Sequence, residues 1–206
     1  MKKLLASLCA VILGACGGGG STETKATTAV IFGDSITEAT GASLANTLGV
    51  QVTNLATSGE TTTNSLMGTK TYGGNLLKYR DFLTEMTKPY DVVYLRYGMA
   101  EAVHIYYNRA ILADFEHNLE MMVDVVKLRS KIPVVVGVSY STNEFEVIAG
   151  KLNEIAKTVA NRTQAQFVDV RQIQIKADDV PDGIHPKESY SQAMIQLIAK
   201  ETKYLF

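Results

Sequence analysis

Ile31-Phe32-Gly33-Asp34-Ser35-Ile36-Thr37 is an apolar run that stops abruptly. The segment from Ala29 to Phe32 has the character of a buried strand, and a glycine, an acid and a serine cut it short. Ser35 is therefore expected at the carboxyl end of a strand. In open α/β sheets ligands collect in the crevice beyond those ends, where a hydroxyl meets substrate instead of packing. Asp34 and Ser35 are equally good at turning a chain and capping a helix, so this stretch by itself supports both readings.

The same pattern recurs along the chain. A loose helix from Ile36 to Leu48 ends at Gly49, and a short strand from Val50 to Leu55 runs into Ala56-Thr57-Ser58-Gly59. Leu76, Leu77, Arg80, Leu83 and Met86 predict a helix over Tyr72 to Thr87. Asp91 to Tyr97 is the cleanest strand, and it stops at Gly98-Met99-Ala100-Glu101. Arg109 to Arg129 carries Ile111, Leu112, Phe115, Leu119, Met122, Val123 and Val126 on one helical face, with His117 expected on its surface. Pro133 opens a fourth strand through Val138, Asn143 caps a helix through Val159, Gln166 to Val170 is a fifth strand, and Pro186 starts a last helix reaching Lys203. Strands alternating with helices predict a three-layer α/β/α sandwich on a five-stranded parallel sheet. Right-handed crossovers place every strand's carboxyl end on one edge, so Ser35, Gly59, Gly98 and the loop with His185 share a rim.

At 206 residues, 46% of them apolar, the chain suits one core. Twenty Lys and Arg stand against 21 Asp and Glu without a basic block, so no electrostatic footprint for nucleic acid is present. The amino terminus departs from this even composition. Met1-Lys2-Lys3 precedes an apolar run, Leu4 to Leu13, that is too short to span a bilayer as a helix and reads as a secretory signal. It ends in Leu13-Gly14-Ala15-Cys16, which resembles a bacterial lipobox. Residues 1–15 are then a removable signal, Cys16 the lipidated residue, 16–27 a Gly/Ser/Thr tether and 28–206 the folded domain. The likeness implies a lipid anchor as the only membrane contact. Gly17, in place of a retention aspartate, implies the outer membrane, facing periplasm or cell surface. Cys9 falls inside the signal, so the mature body has no pair of thiols for a disulfide.

A serine hydroxyl attacks only when a base takes its proton, and the usual base is a histidine held by a carboxylate. Of the three histidines, His185 has Asp182 three residues earlier, with Gly183 to turn the loop between them. Ser35 as nucleophile, His185 as base and Asp182 as its orienter follow. His104 lies among tyrosines after the third strand without an obvious carboxylate partner.

Gly33-Asp34-Ser35, Gly59, Gly98 and Asp182-Gly183-Ile184-His185-Pro186, in this order over essentially the whole mature chain, resemble the SGNH/GDSL hydrolase family. The resemblance implies a flavodoxin-like SGNH hydrolase fold and a Ser-His-Asp esterase that needs neither metal nor other cofactor. It also implies an oxyanion hole built partly from the N–H groups of Ser35 and Gly59. The family's third block usually runs Gly-x-Asn-Asp, its Asn being a further oxyanion donor; here the positions are Gly98-Met99-Ala100-Glu101. Losing one such donor costs roughly 3 kcal/mol, or about 10²–10³ in rate. Asn64, Asn143 and Arg96 are the replacements considered. The expected substrate is a short acyl ester on carbohydrate or lipid, held by the loops Thr61 to Tyr72 and Met99 to Asn108. Tyr106 and Tyr107 either stack on a sugar ring or pack against the next helix. An envelope polysaccharide O-acyltransferase, or a binding protein weakened catalytically at Ala100, are the alternatives.

Overall fold

The computed structural model describes residues 25–72, 75–78 and 81–206. The apolar run ahead of Ser35 forms β1 (Thr28–Gly33), buried from Ala29 onward. Asp34 ends it and caps α1 (Ser35–Leu48): Asp34 Oδ1 accepts from Ile36 N at 3.1 Å, and Gly49 closes the helix in the left-handed conformation. Both readings of the opening stretch are therefore realised in the same residues. The chain continues through β2 (Gln51–Asn54), α2 (Thr62–Met67), the hairpin β3 (Thr69–Tyr72) and β4 (Asn75–Lys78), α3 (Phe82–Glu85), β5 (Val92–Arg96) and α4 (Met99–Tyr106). Then come α5 (Leu112–Leu128), β6 (Ile132–Val136), α6 (Glu146–Thr163), β7 (Gln166–Val168) and α7 (Glu188–Thr202).

Five strands form one parallel sheet in the order β2-β1-β5-β6-β7. The order of strand addition reverses between β1 and β5, which is the flavodoxin-like switch point. That reversal, with right-handed crossovers, sends helices to opposite faces. Accordingly α1 packs with α7, while α5 packs with α6, α4 with α6 and α2 with α5. The central strands are buried on both faces, with Val30, Val92, Val93, Tyr94, Leu95, Val134 and Val135 sealed from solvent. The α/β/α sandwich expected from the sequence is the fold observed.

One element differs outright. The helix expected over Tyr72 to Thr87 is instead the antiparallel hairpin β3–β4, with Tyr72 opposite Asn75, followed by a single helical turn at Phe82–Glu85. Thr69, Thr71 and Tyr72 are residue types that favour a strand, and they outweigh the spacing of the leucines. Smaller departures follow the caps. Ile111 lies ahead of α5 and is 60% exposed, α6 starts only at Glu146, and Asn143 Oδ1 accepts from Phe145 N at 3.1 Å one turn earlier. The segment after Gly98, read as a loop, is the helix α4. His117 is on the surface of α5, as expected.

Candidate active site

Ser35 is the first residue of α1, immediately beyond β1. Gly33 is required just before it: a Cβ there would lie 2.1 Å from the Arg96 carbonyl oxygen, because β1 and β5 pair closely at this point. Ser35 Oγ is 2.9 Å from His185 Nε2, and His185 Nδ1 is 2.7 Å from Asp182 Oδ2. Asp182 Oδ1 accepts the N–H groups of Ile184 and His185 at 2.9 and 2.6 Å, so one carboxylate fixes both the ring and the backbone that carries it. Partial burial opposes ionisation of Asp182, but the His185 N–H, its imidazole and the Ile184 N–H outweigh it and hold the carboxyl down to about 2. The structure thus brings the three predicted residues into one hydrogen-bonded line. It is an open one, with the side chains of His185 and Asp182 at 51% and 55% exposure.

The loop that carries this pair is held from behind. Gly183 sits at φ +82°, and a Cβ on it would lie 2.1 Å from Asn143 Nδ2. Ser141 Oγ donates to the Gly183 carbonyl at 2.6 Å and Thr142 Oγ1 to that of Val180 at 2.7 Å. The Ser141 end is anchored in turn by Glu146, which accepts from Ser141 N at 2.8 Å and pairs with Arg171 at 2.7 Å. Beneath Ser35, the buried Asp34 accepts from Ile36 N, Met99 N and Ala100 N, tying the start of α1 to the start of α4. Burial pushes the Asp34 carboxyl up, opposed by the Arg96 charge and by those three N–H groups.

Ser35 and His185 open on a cavity of about 200 Å³, whose described wall comprises Ser58, Gly59, Met99, Ala100, Val103, His104 and Ile184. Gly59 is there, at φ +68°. Asn64, Asn143 and Arg96 are absent from that wall. Asn143 is taken up by the histidine loop, and Arg96 is buried with its Nη1 donating to Thr40 Oγ1 at 3.0 Å and its Nη2 3.1 Å from Met194 Sδ. The polar side chains beside Ala100 are instead Ser58 and His104, which sequence reading passed over as replacements. The available signal was the spacing of Ala100 and His104, four residues apart and so on one face of α4 once that segment is read as a helix. Tyr106 and Tyr107 pack edge-on against Phe145, just ahead of α6, at ring distances of 5.2 and 6.3 Å, and so meet a more distant element than the next helix, α5. Among the described residues no group of three His, Cys, Asp or Glu side chains is placed to hold a metal ion, and no helix is long and apolar enough to cross a membrane. Cys16 and the signal region lie outside the described residues.

Residues 31–193 match the GDSL-like Lipase/Acylhydrolase family. Comparison with curated proteins gave no match. Among solved structures, the chain is similar to Axe2, an acetylxylan esterase from Geobacillus stearothermophilus, at 17% identity and TM-score 0.69, over 85% of this chain and 93% of that one. It is similar also to LAE5, an alpha/beta hydrolase enzyme from the metagenome of Lake Arreo, Spain, at 17% identity and TM-score 0.68, over 87% and 96% of the two chains. At these identities the likeness is one of fold.

Proposed function

The chain belongs to the GDSL-like lipase/acylhydrolase family, and from that premise we propose that it is a serine esterase removing short acyl groups from carbohydrate or lipid alcohols. The observation that carries the reading is the hydrogen-bonded line from Ser35 Oγ through His185 to Asp182, open to a cavity. In the proposed reaction Ser35 Oγ attacks the ester carbonyl while His185 Nε2 takes its proton. Asp182 accepts from Nδ1–H, which fixes the tautomer and stabilises the imidazolium. The N–H groups of Ser35 and Gly59 receive the charge on the carbonyl oxygen. His185 then protonates the departing alcohol, and water attacks the acyl-serine by the same route.

Three observations support the finer points. A cavity of about 200 Å³ is below the ~300–1,000 Å³ of sites for drug-sized ligands, which favours a small acyl group. The half-exposed imidazole is open to water, which favours hydrolysis over transfer to a second alcohol. The acetylxylan esterase activity in the name of the Geobacillus relative supports an acylated carbohydrate as substrate. The proposal includes export, with residues 1–15 removed and Cys16 lipidated at the outer membrane. Incorporation of labelled palmitate, lost in Cys16→Ala, checks that part.

Hydrolysis of p-nitrophenyl acetate by wild type and Ser35→Ala tests the central claim. A fall of at least 10³-fold, with a fluorophosphonate adduct on Ser35 of the wild type, is expected. Undiminished hydrolysis by Ser35→Ala overturns it, and a wild type that neither hydrolyses nor takes the label returns the chain to the binding-protein reading.

A further inference from the structure

A second cavity, of about 140 Å³, shares His104 with the one that opens on Ser35. Its chemistry is different. Beside Ser35 the wall is largely apolar, with Met99, Ala100, Val103 and Ile184. The second cavity is lined by hydroxyls, an amide, carboxylates and a guanidinium, from Thr62 and Asn64 of α2, Glu101 of α4, and Arg109 and Asp114 around the start of α5.

Glu101 is the unusual member. It is 3% exposed, its Oε1 accepts from Thr62 N at 2.6 Å, and the Thr62 hydroxyl lies against the same carboxyl. Glu101 and Thr62 thus form a polar floor to the cavity, with Asn64, Arg109 and Asp114 around it. An anionic ligand meets the Asp114 carboxylate, a cationic one meets Arg109, and an acyl chain meets a wall in which only Ala110, Ile111 and Phe115 are apolar. A saccharide matches this mixture, its hydroxyls donating and accepting while its C–H faces pack on the apolar side chains.

We propose that this second cavity holds the alcohol half of the substrate as a saccharide ring, with the ester lying past His104 and its acyl group in the cavity beside Ser35. The inference rests on the esterase reading above and adds to it the position and chemistry of the leaving-group site. Arg109 and Asp114 are exposed, so their replacement leaves the core intact and makes clean probes.

The experiment compares monoacetylated cellobiose with p-nitrophenyl acetate in wild type, Arg109→Ala and Asp114→Ala, and separately titrates cellobiose into Ser35→Ala followed by amide NMR shifts. The ratio of kcat/KM for the sugar ester to that for the aryl ester is expected to fall at least tenfold in each variant, chiefly through KM. Cellobiose is expected to shift the amides of Asn64, Arg109 and Asp114. A ratio within twofold of wild type in both variants, or shifts confined to other residues, overturns the saccharide site and leaves the esterase reading standing. Shifts at these amides in a protein inactive on both esters support the site and overturn the esterase reading.

Discussion

Replacing Ala100 with Asn tests how the site holds negative charge. Ala100 is in the first turn of α4, 9% exposed, with its side chain on the cavity wall that includes Ser35 and Gly59. Its own N–H donates to Asp34 Oδ2 at 3.3 Å, so its backbone is committed elsewhere and only a side chain can add a donor at this position. A well-placed oxyanion donor is worth roughly 3 kcal/mol, or about 10²–10³ in kcat. The expected rise in kcat is therefore about 10²–10³-fold, with KM little changed. The cost to the fold is below about 1 kcal/mol, the difference in helix propensity between the two residues. Turnover of p-nitrophenyl acetate is measured for wild type, Ala100→Asn and Ala100→Leu, the last filling similar space without an amide. A folded Ala100→Asn protein with wild-type kcat, or an equal rise in Ala100→Leu, refutes the idea that a missing donor limits the reaction.

Burial raises the Glu101 carboxyl to about 7, with the Thr62 N–H working against it and the Asp34 charge adding to it. Its neutral form is thus the one the fold prefers, so its contribution to stability is complete below pH 4.5 and is lost as pH rises through about 7. At about 1.4 kcal/mol per pH unit the loss is roughly 3 kcal/mol. Urea unfolding at pH 5 and pH 8 is expected to show this loss in wild type and not in Glu101→Gln, and parallel curves refute it. Gly183→Ala places a Cβ in the left-handed region against Asn143, at a cost of about 1–3 kcal/mol to the loop, and kcat is expected to drop at least tenfold while KM changes little. A wild-type kcat in that variant shows that the loop tolerates the shift. Asp182→Asn keeps the shape but presents an amide to His185, and a fall of about 10³–10⁴ in kcat is expected. A loss below tenfold means that the backbone alone orients the imidazole.

The sheet and the Ser35, Asp182 and His185 line were legible because each rests on local chemistry. The buried strands β1, β5 and β6 read as apolar runs, and a glycine lies at or close behind the end of each. Asp182 and His185 sit three residues apart, where one carboxylate reaches both ring and backbone. The β3–β4 hairpin was missed because Leu76, Leu77, Leu83 and Met86 fit a helical spacing, although Leu76 and Leu77 belong to β4 and Leu83 to α3. Much of the cavity walls was legible as well: the segments Thr61 to Tyr72 and Met99 to Asn108 were expected to hold the substrate, and Thr62, Asn64, Met99, Ala100, Val103 and His104 line the two cavities. Asp114 was not, because it joins Thr62 only through the packing of α2 with α5, which no spacing in the sequence announces. Arg96 illustrates the converse: a strand-end cation suggests a rim residue, yet its side chain turns into the core toward Thr40 and Met194.

The bond between Ser35 and His185 spans 150 residues of sequence. On the proposed mechanism, a chain that emerges amino end first carries Ser35 long before His185 exists, and the serine is inert throughout that interval. In refolding, recovered turnover is a clock for the closing of this span. It lags the return of helical signal, because helices form locally and the Ser35–His185 contact requires the first strand and the last loop to find each other. Catalytic power here belongs to the finished chain, and no fragment that ends before His185 can express it.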